Sequence, residues 1–349
     1  MKRLLKITAF FLFFCSANSF AAKNVVVIAT GGTIAGAGES QTSSGYQPSK
    51  VGIEEIIKSI PGIDKIANVK AEQLMQVASQ DMDSKTWLEI AKKVNEVLAQ
   101  NNVNGVVITH GTDTIEETAY FLNLVVKSKK PVVLVGAMRP STSLSADGSL
   151  NLFNAVAVAA SDSAVNKGVM LVFNDEIHSA REVFKTHTTN VAAFKSSNTG
   201  IIGSAYFGDV KFYLDPIRAH THETIFDVKR FDNLPKVGIV YAHSGFDSKI
   251  IDYLADHGYK GIVLAGVGDG NINQQSVDAL AEAVRKGLVV VRSAHLGAGS
   301  VQPNVEINDE DFGFVTADNL SPKKARILTM LAITKTEDPR KIREMFAKY

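Results

Sequence analysis

Cysteine is almost missing from this chain of 349 residues; the single one is Cys15, near the amino terminus. Beyond it there is no disulfide framework, no cysteine zinc site and no cysteine nucleophile. An excess of charge is missing too. The 37 basic and 36 acidic side chains give a formal net charge of +1. Nothing therefore concentrates the positive potential that steers nucleic acid or an anionic membrane, and no such partner is expected. The apolar stretch Ile7–Phe14 is too short for a permanent membrane span. It follows Met1-Lys2-Arg3 and Lys6 and precedes the small-x-small tripeptide Ser19-Phe20-Ala21. Residues 1–21 thus read as a cleaved secretory signal, with the mature chain in the periplasm. Leu12-Phe13-Phe14 is too bulky ahead of Cys15 for lipoprotein processing.

Several ligand-binding motifs are absent as well. Gly31, Gly32 and Gly36 have the wrong spacing for a dinucleotide fingerprint, and there is no phosphate-loop lysine motif or G-x-S-x-G elbow. His110, His178, His187, His243 and His295 are scattered, and His220-Thr221-His222 falls in a polar connecting segment. No metal and no cofactor is expected.

What the chain does have is alternation. Strand-like apolar runs occupy 24–29, 105–109, 131–135, 168–173, 237–241, 261–265 and 288–292. Between them lie helical patterns such as Thr86–Gln100 and Ile115–Ser128, with apolar residues at 3.6-type spacing. This order predicts parallel βαβ layers. The aromatic runs around Gly208-Asp209 predict an antiparallel hairpin at one sheet edge. From 215 to 235 the periodicity fails, so the expected organisation is a signal at 1–21, an α/β domain at 22–214, a linker at 215–235 and a second α/β domain at 236–349. Ser321-Pro322 and Asp338-Pro339 mark two helix starts, each a cap residue with proline in the first turn.

Two strand exits carry the chemistry. Val25–Ala29 runs into Thr30-Gly31-Gly32-Thr33, and Val106–Thr109 into His110-Gly111-Thr112-Asp113-Thr114. An unbroken β-branched run reads as a strand buried on both faces. Thr33 and Thr112 are therefore expected at the carboxyl ends of parallel strands, where open α/β sheets bind ligands. One Gly-Thr turn could equally be a helix cap; the pair, with Asp113 adjoining, favours catalysis. A threonine hydroxyl needs a base to become a nucleophile, and exposed glycine N–H groups can receive the oxyanion formed when it attacks an amide.

The segments Ile28–Gly36 and Ile108–Thr114 resemble the two signature motifs of bacterial-type L-asparaginases. The chain is most similar to the exported type II branch and its glutaminase-asparaginase relatives. The likeness extends through Ser79–Met82, Val135–Pro140, Ser145–Gly148 and Asn319–Arg326. It implies an α/β fold with a larger, mostly parallel N-terminal domain and a smaller parallel C-terminal one. It also implies hydrolysis of L-asparagine to L-aspartate and ammonia through a threonine nucleophile, with L-glutamine as a further substrate.

The same resemblance assigns roles. Thr33 corresponds to the loop nucleophile, with Tyr46 beside it, and Thr112, Asp113 and Lys185 to a second triad. Gly32 and Gly111 fall in the substrate-contacting turns. Ser79, Gln80 and Asp113 correspond to the clamp on the substrate's α-carboxylate and α-ammonium, and Ala137 to a carbonyl acceptor for the amide. Asn271 and Glu306 match residues that a neighbouring subunit contributes, which implies a homotetramer. Residues Glu39–Gly45 suit a loop closing over substrate.

Departures from the family pattern concern preference more than reaction type. Asp269 stands where several relatives have asparagine, and His295–Ser300 is closer to the glutaminase-asparaginase form. The alternative to an enzyme is an exported amino-acid-binding protein, which would need the clamp but not the paired threonines.

Overall fold

The computed structural model describes residues 22–42, 45–47 and 52–349. The expected signal, residues 1–21, lies outside the described residues, as do Ser43 and Ser44 of the expected closing loop.

The parallel strands follow from the β-branched runs. A sheet of eight strands has the order 209–212, 203–206, 176–179, 169–173, 132–135, 105–109, 24–29, 68–73. From 169–173 to 68–73 all neighbours are parallel; the other three strands join antiparallel at the far edge. A smaller, fully parallel sheet contains 237–241, 261–266, 289–294 and 315–316.

Side chains alternate across the large sheet, as the two-residue strand period demands. Val26, Ile28, Val106, Ile108, Val132 and Leu134 enter one core with helices Ser84–Leu98 and Ile115–Val125. Val25, Val27, Val107, Val133 and Val135 enter a second core with helix Gly148–Ala160. The first core does not stop at the large sheet. It continues through Phe226, Phe231 and Leu234 to Val263 and Val291 of the smaller sheet and to Ala325, Leu328 and Leu331 of helix Pro322–Ile333. Within the segment 215–235, Phe226, Phe231 and Leu234 are packed into this core, while Ile217 and Ile225 stay exposed.

Boundaries shift where a side chain intervenes. The first long helix begins at Ser84 rather than Thr86, because Asp83 and Thr86 form a reciprocal capping box. The next ends at Val125, since Asn95 Oδ1 takes the Lys127 N–H at 2.7 Å. The edge hairpin turns on Phe207-Gly208, one residue earlier than the Gly208-Asp209 reading. Both turn residues have positive φ, and Asn154 Oδ1 accepts the Gly208 N–H.

Candidate active site

The two threonine turns leave neighbouring parallel strands and touch backbone to backbone. Thr30 donates its N–H and hydroxyl to the Thr109 carbonyl, at 3.1 and 2.8 Å. Two residues on, Gly32 has φ +92°, and a Cβ there would lie 2.5 Å from the Gly111 nitrogen. A Cβ on Gly111 would in turn lie 2.7 Å from Ser79 Oγ. Only glycine at both positions lets the three loops meet this closely. Thr33 then opens a 3-10 turn, Thr33–Ala35, and is buried, as is Thr112.

Ser79 and Gln80 lie on the 3-10 turn Ser79–Asp81. Ser79 is fastened to the second threonine turn: its Oγ accepts the Asp113 N–H at 3.2 Å, and its carbonyl accepts the Thr114 hydroxyl at 2.7 Å. Gln80 is exposed. Ala137 follows strand Val132–Val135 and is buried. Its turn is gripped by Asp147, whose two carboxylate oxygens accept the Met138 and Arg139 N–H groups at 2.9 Å each.

Lys185 arrives from a distant part of the chain. Its Nζ lies 2.9 Å from Thr112 Oγ1 and 2.7 Å from Asp113 Oδ1. The lysine side chain is 15% exposed and the aspartate 60%, so this ion pair is half sheltered, with the threonine hydroxyl as its third member. A cavity of about 450 Å³ is lined by Thr33, Thr112, Asp113 and Lys185, with Gln41, Thr42, Met138–Pro140, Ser143, Leu144 and Thr188–Thr189. A larger cleft, about 570 Å³, opens on the other side of Lys185 between the two sheets, and neither threonine lines it. The smaller cavity is the one equipped for chemistry.

Beneath the second threonine turn, His110 is fully buried. Its Nδ1 is 2.7 Å from the Gly111 carbonyl and its Nε2 2.8 Å from Thr118 Oγ1. A carbonyl only accepts, so Nδ1 carries the proton and Thr118 donates to Nε2. Thr118 Oγ1 accepts in turn from Trp87 Nε1 at 3.0 Å. Burial pushes the His110 pKa from 6.5 down to about 4, so this relay is uncharged at neutral pH.

Tyr46 is placed by its backbone, in a two-residue strand pairing Tyr46 with Gly38. Asn271 and Glu306 do not line the threonine cavity. Asn271 closes a tight turn by exchanging backbone hydrogen bonds with Val267, and Glu306 is exposed. One buried ion pair organises both segments. Arg292 binds Asp309 through two nitrogens at 2.5 and 2.7 Å and donates to the carbonyls of Asp269, Gly270 and Gln302. Asp269 Oδ1 accepts the Gln302 N–H at 2.8 Å, tying the Asn271 turn to the stretch that leads to Glu306.

Two residues of consequence were invisible in the sequence. Glu116, 2% exposed, accepts the Lys185 backbone N–H at 3.0 Å and pairs with Lys323. Lys324 is fully buried, and burial pushes its pKa from 10.5 down to about 8. A first-turn helix acid and one of two adjacent lysines carry no local mark of burial; only the fold covers them.

Comparison with known proteins agrees with this geometry. Residues 24–218 match the family "Asparaginase, N-terminal" and residues 236–346 "Glutaminase/Asparaginase C-terminal domain". The chain is 48% identical to L-asparaginase 2 of Escherichia coli, covering 96% of this chain and 95% of that protein. It is 46% identical to the glutaminase-asparaginase of Pseudomonas fluorescens biotype A, covering 93% and 90%. The crystal structure of a probable cytoplasmic L-asparaginase from Campylobacter jejuni is 49% identical. It superposes with a TM-score of 0.91 over 94% of this chain and all of that one. From its paired threonine turns to its second parallel sheet, the chain belongs to the asparaginase family.

Proposed function

We propose that this protein is an amidohydrolase that converts L-asparagine to L-aspartate and ammonia, and L-glutamine to L-glutamate and ammonia. The observation that carries the reading is the contact of Lys185 Nζ with both Thr112 Oγ1 and Asp113 Oδ1, in a cavity that Thr33 also lines.

The Thr33 hydroxyl gives up its proton as it adds to the substrate amide carbon, forming a tetrahedral oxyanion, and that proton ends on the departing nitrogen. Collapse breaks the C–N bond and leaves a threonyl ester; the nitrogen departs as ammonia after taking a proton. Water then adds to the ester, and the carboxylate product leaves with the Thr33 hydroxyl restored. Lys185 donates to Thr112 Oγ1 and holds its positive charge at the wall of the cavity, and Asp113 balances that charge. Asp113, with Ser79 and Gln80 on the adjoining turn, binds the substrate's α-amino and α-carboxylate groups, and the Ala137 carbonyl takes the side-chain amide.

Asn271 and Glu306 would serve the site of a neighbouring subunit in a homotetramer. The exposure of Glu306, and of Val267 and Val305, 40% and 63% exposed, supports this. Residues 1–21 would direct export to the periplasm, an assignment supported by the 45% identity to the probable periplasmic L-asparaginase of Haemophilus influenzae.

Incubation of the mature chain with L-asparagine and, separately, L-glutamine, following ammonia, tests the reading. One methylene changes discrimination by only about 1–3 kcal/mol, so release from both substrates is expected. Binding of either without ammonia release would replace the enzyme with an amino-acid-binding protein.

A further inference from the structure

The role given to Lys185 requires its ammonium to stay within hydrogen-bond reach of Thr112. Yet its strand, Phe184–Lys185, is two residues long and forms a separate two-stranded ribbon with Phe194–Lys195. The large sheet does not hold this ribbon in register, so other contacts must locate it.

Three side chains do so. Glu116 Oε2 accepts the Lys185 backbone N–H at 3.0 Å, and Glu116 Oε1 accepts from Lys323 Nζ at 2.5 Å. Lys324 Nζ donates to the carbonyl of Arg181 at 2.8 Å and to that of Val183, just upstream of Lys185. Lys323 and Lys324 are consecutive in the first turn of helix Pro322–Ile333, which shares the first core with helix Ile115–Val125. Glu116 stands in the first turn of that second helix, four residues after Thr112.

A carboxylate at 2% exposure is costly to bury, because water no longer solvates its charge. Its neighbours Ile115 and Ala119 are buried in the same core without charge. What Glu116 supplies and an apolar residue cannot is a pair of acceptors. One takes the main chain of the lysine's strand; the other takes an ammonium from the C-terminal part of the chain. The carboxylate thereby measures the distance between the helix that follows Thr112 and the ribbon that carries Lys185.

We propose that Glu116, seated on Lys323, is a positioning residue that sets Lys185 against Thr112. Through it, the first turn of helix Pro322–Ile333 governs the geometry of a site more than a hundred residues away in sequence. This deepens the active-site reading above and rests on it.

The test uses the full chain and four proteins: native, Glu116→Ala, the double variant Glu116→Gln/Lys323→Met, and Lys185→Met. A misplacement of about 1 Å in a reacting group costs roughly 100-fold, so Glu116→Ala should lower kcat by about 10- to 100-fold while KM changes by less than about threefold. Deuterium exchange in the peptide spanning Phe184–Thr186 should quicken at the same time. In the double variant the glutamine carbonyl still accepts the Lys185 N–H, and no ammonium opposes its amide. It keeps the acceptor for the Lys185 N–H but loses the seat on Lys323, so its kcat should lie above that of Glu116→Ala and below native; fully native kcat would remove Lys323 from the proposal. Native kcat and native exchange in Glu116→Ala, alongside an inactive Lys185→Met, would overturn the positioning role alone. Equal losses in Glu116→Ala and the double variant would also overturn it. Full activity in Lys185→Met would instead overturn the active-site assignment. Should Glu116→Ala not fold, the double variant decides: kcat as low as that of Lys185→Met refutes the proposal.

Discussion

The buried relay under the second threonine turn makes stability depend on pH in a defined window. His110 titrates near 4 in the folded chain against 6.5 for an ordinary histidine, because burial opposes its charge. Between those values the unfolded chain binds a proton that the folded chain does not. Stability is therefore complete above about pH 6.5 and falls as the pH drops towards 4, where the folded form protonates too. The interval corresponds to about 3 kcal/mol. Charging His110 would also place a second proton on Nε2, facing the Thr118 hydroxyl that donates to it. The perturbation is His110→Gln, an uncharged side chain able to donate and accept. The assay is urea unfolding at fixed protein concentration from pH 7 to 4. The fluorescence of Trp87, the chain's one tryptophan and a direct neighbour of Thr118, follows the transition. The variant starts less stable at pH 7 but loses less on acidification than the native chain. The buried His220, also shifted down by burial, titrates in both proteins and cancels in the difference. Parallel stability curves for the two proteins would refute the assignment of this window to His110.

Thr33→Ala and Thr112→Ala should each reduce ammonia release by orders of magnitude with little change in melting temperature. Near-native turnover in either removes that threonine from the mechanism. Gly32→Ala forces a Cβ to within 2.5 Å of the Gly111 nitrogen at φ +92°, so calorimetry should find a melting temperature lowered by several degrees together with lost activity; an unchanged melt would contradict the close approach. Arg292→Met leaves Asp309 buried without its partner, at a cost of about 3–5 kcal/mol, readable in a denaturant titration. A native midpoint there would mean that the pair does not hold the Asn271 and Glu306 segments.

The parts of the fold that were legible in the sequence are those set by local chemistry. Val25–Ala29 and Val106–Ile108 lack polar positions because both of their faces are covered, and that shows in the residues themselves. Their glycines announced close backbone contact, and Gly32 against Gly111 is that contact. Lys185 was different. Residues 113 and 185 meet through folding, and only the likeness to a known family nominated the lysine. Glu116 and Lys324 escaped altogether, since Glu116 is met by a helix that arrives some two hundred residues later and Lys324, on that helix, by the carbonyls of Arg181 and Val183. The hairpin turn was displaced for a similar reason: Asn154, from a helix on the sheet's face, captures the Gly208 N–H and fixes where the chain reverses.

The apolar core that runs from the large sheet past Phe226, Phe231 and Leu234 to the smaller one bears on how the molecule comes apart. Two lobes joined by a bare tether can melt separately, each keeping its own shape. Here each lobe, taken alone, would present water with half of a shared interior. The chain should therefore lose its structure in one cooperative event, and a protease nick between 215 and 235 should leave a complex of two fragments that stay together until both unfold. On that expectation the boundary between the two sheets marks a change of topology, and the unit of unfolding would be the whole chain.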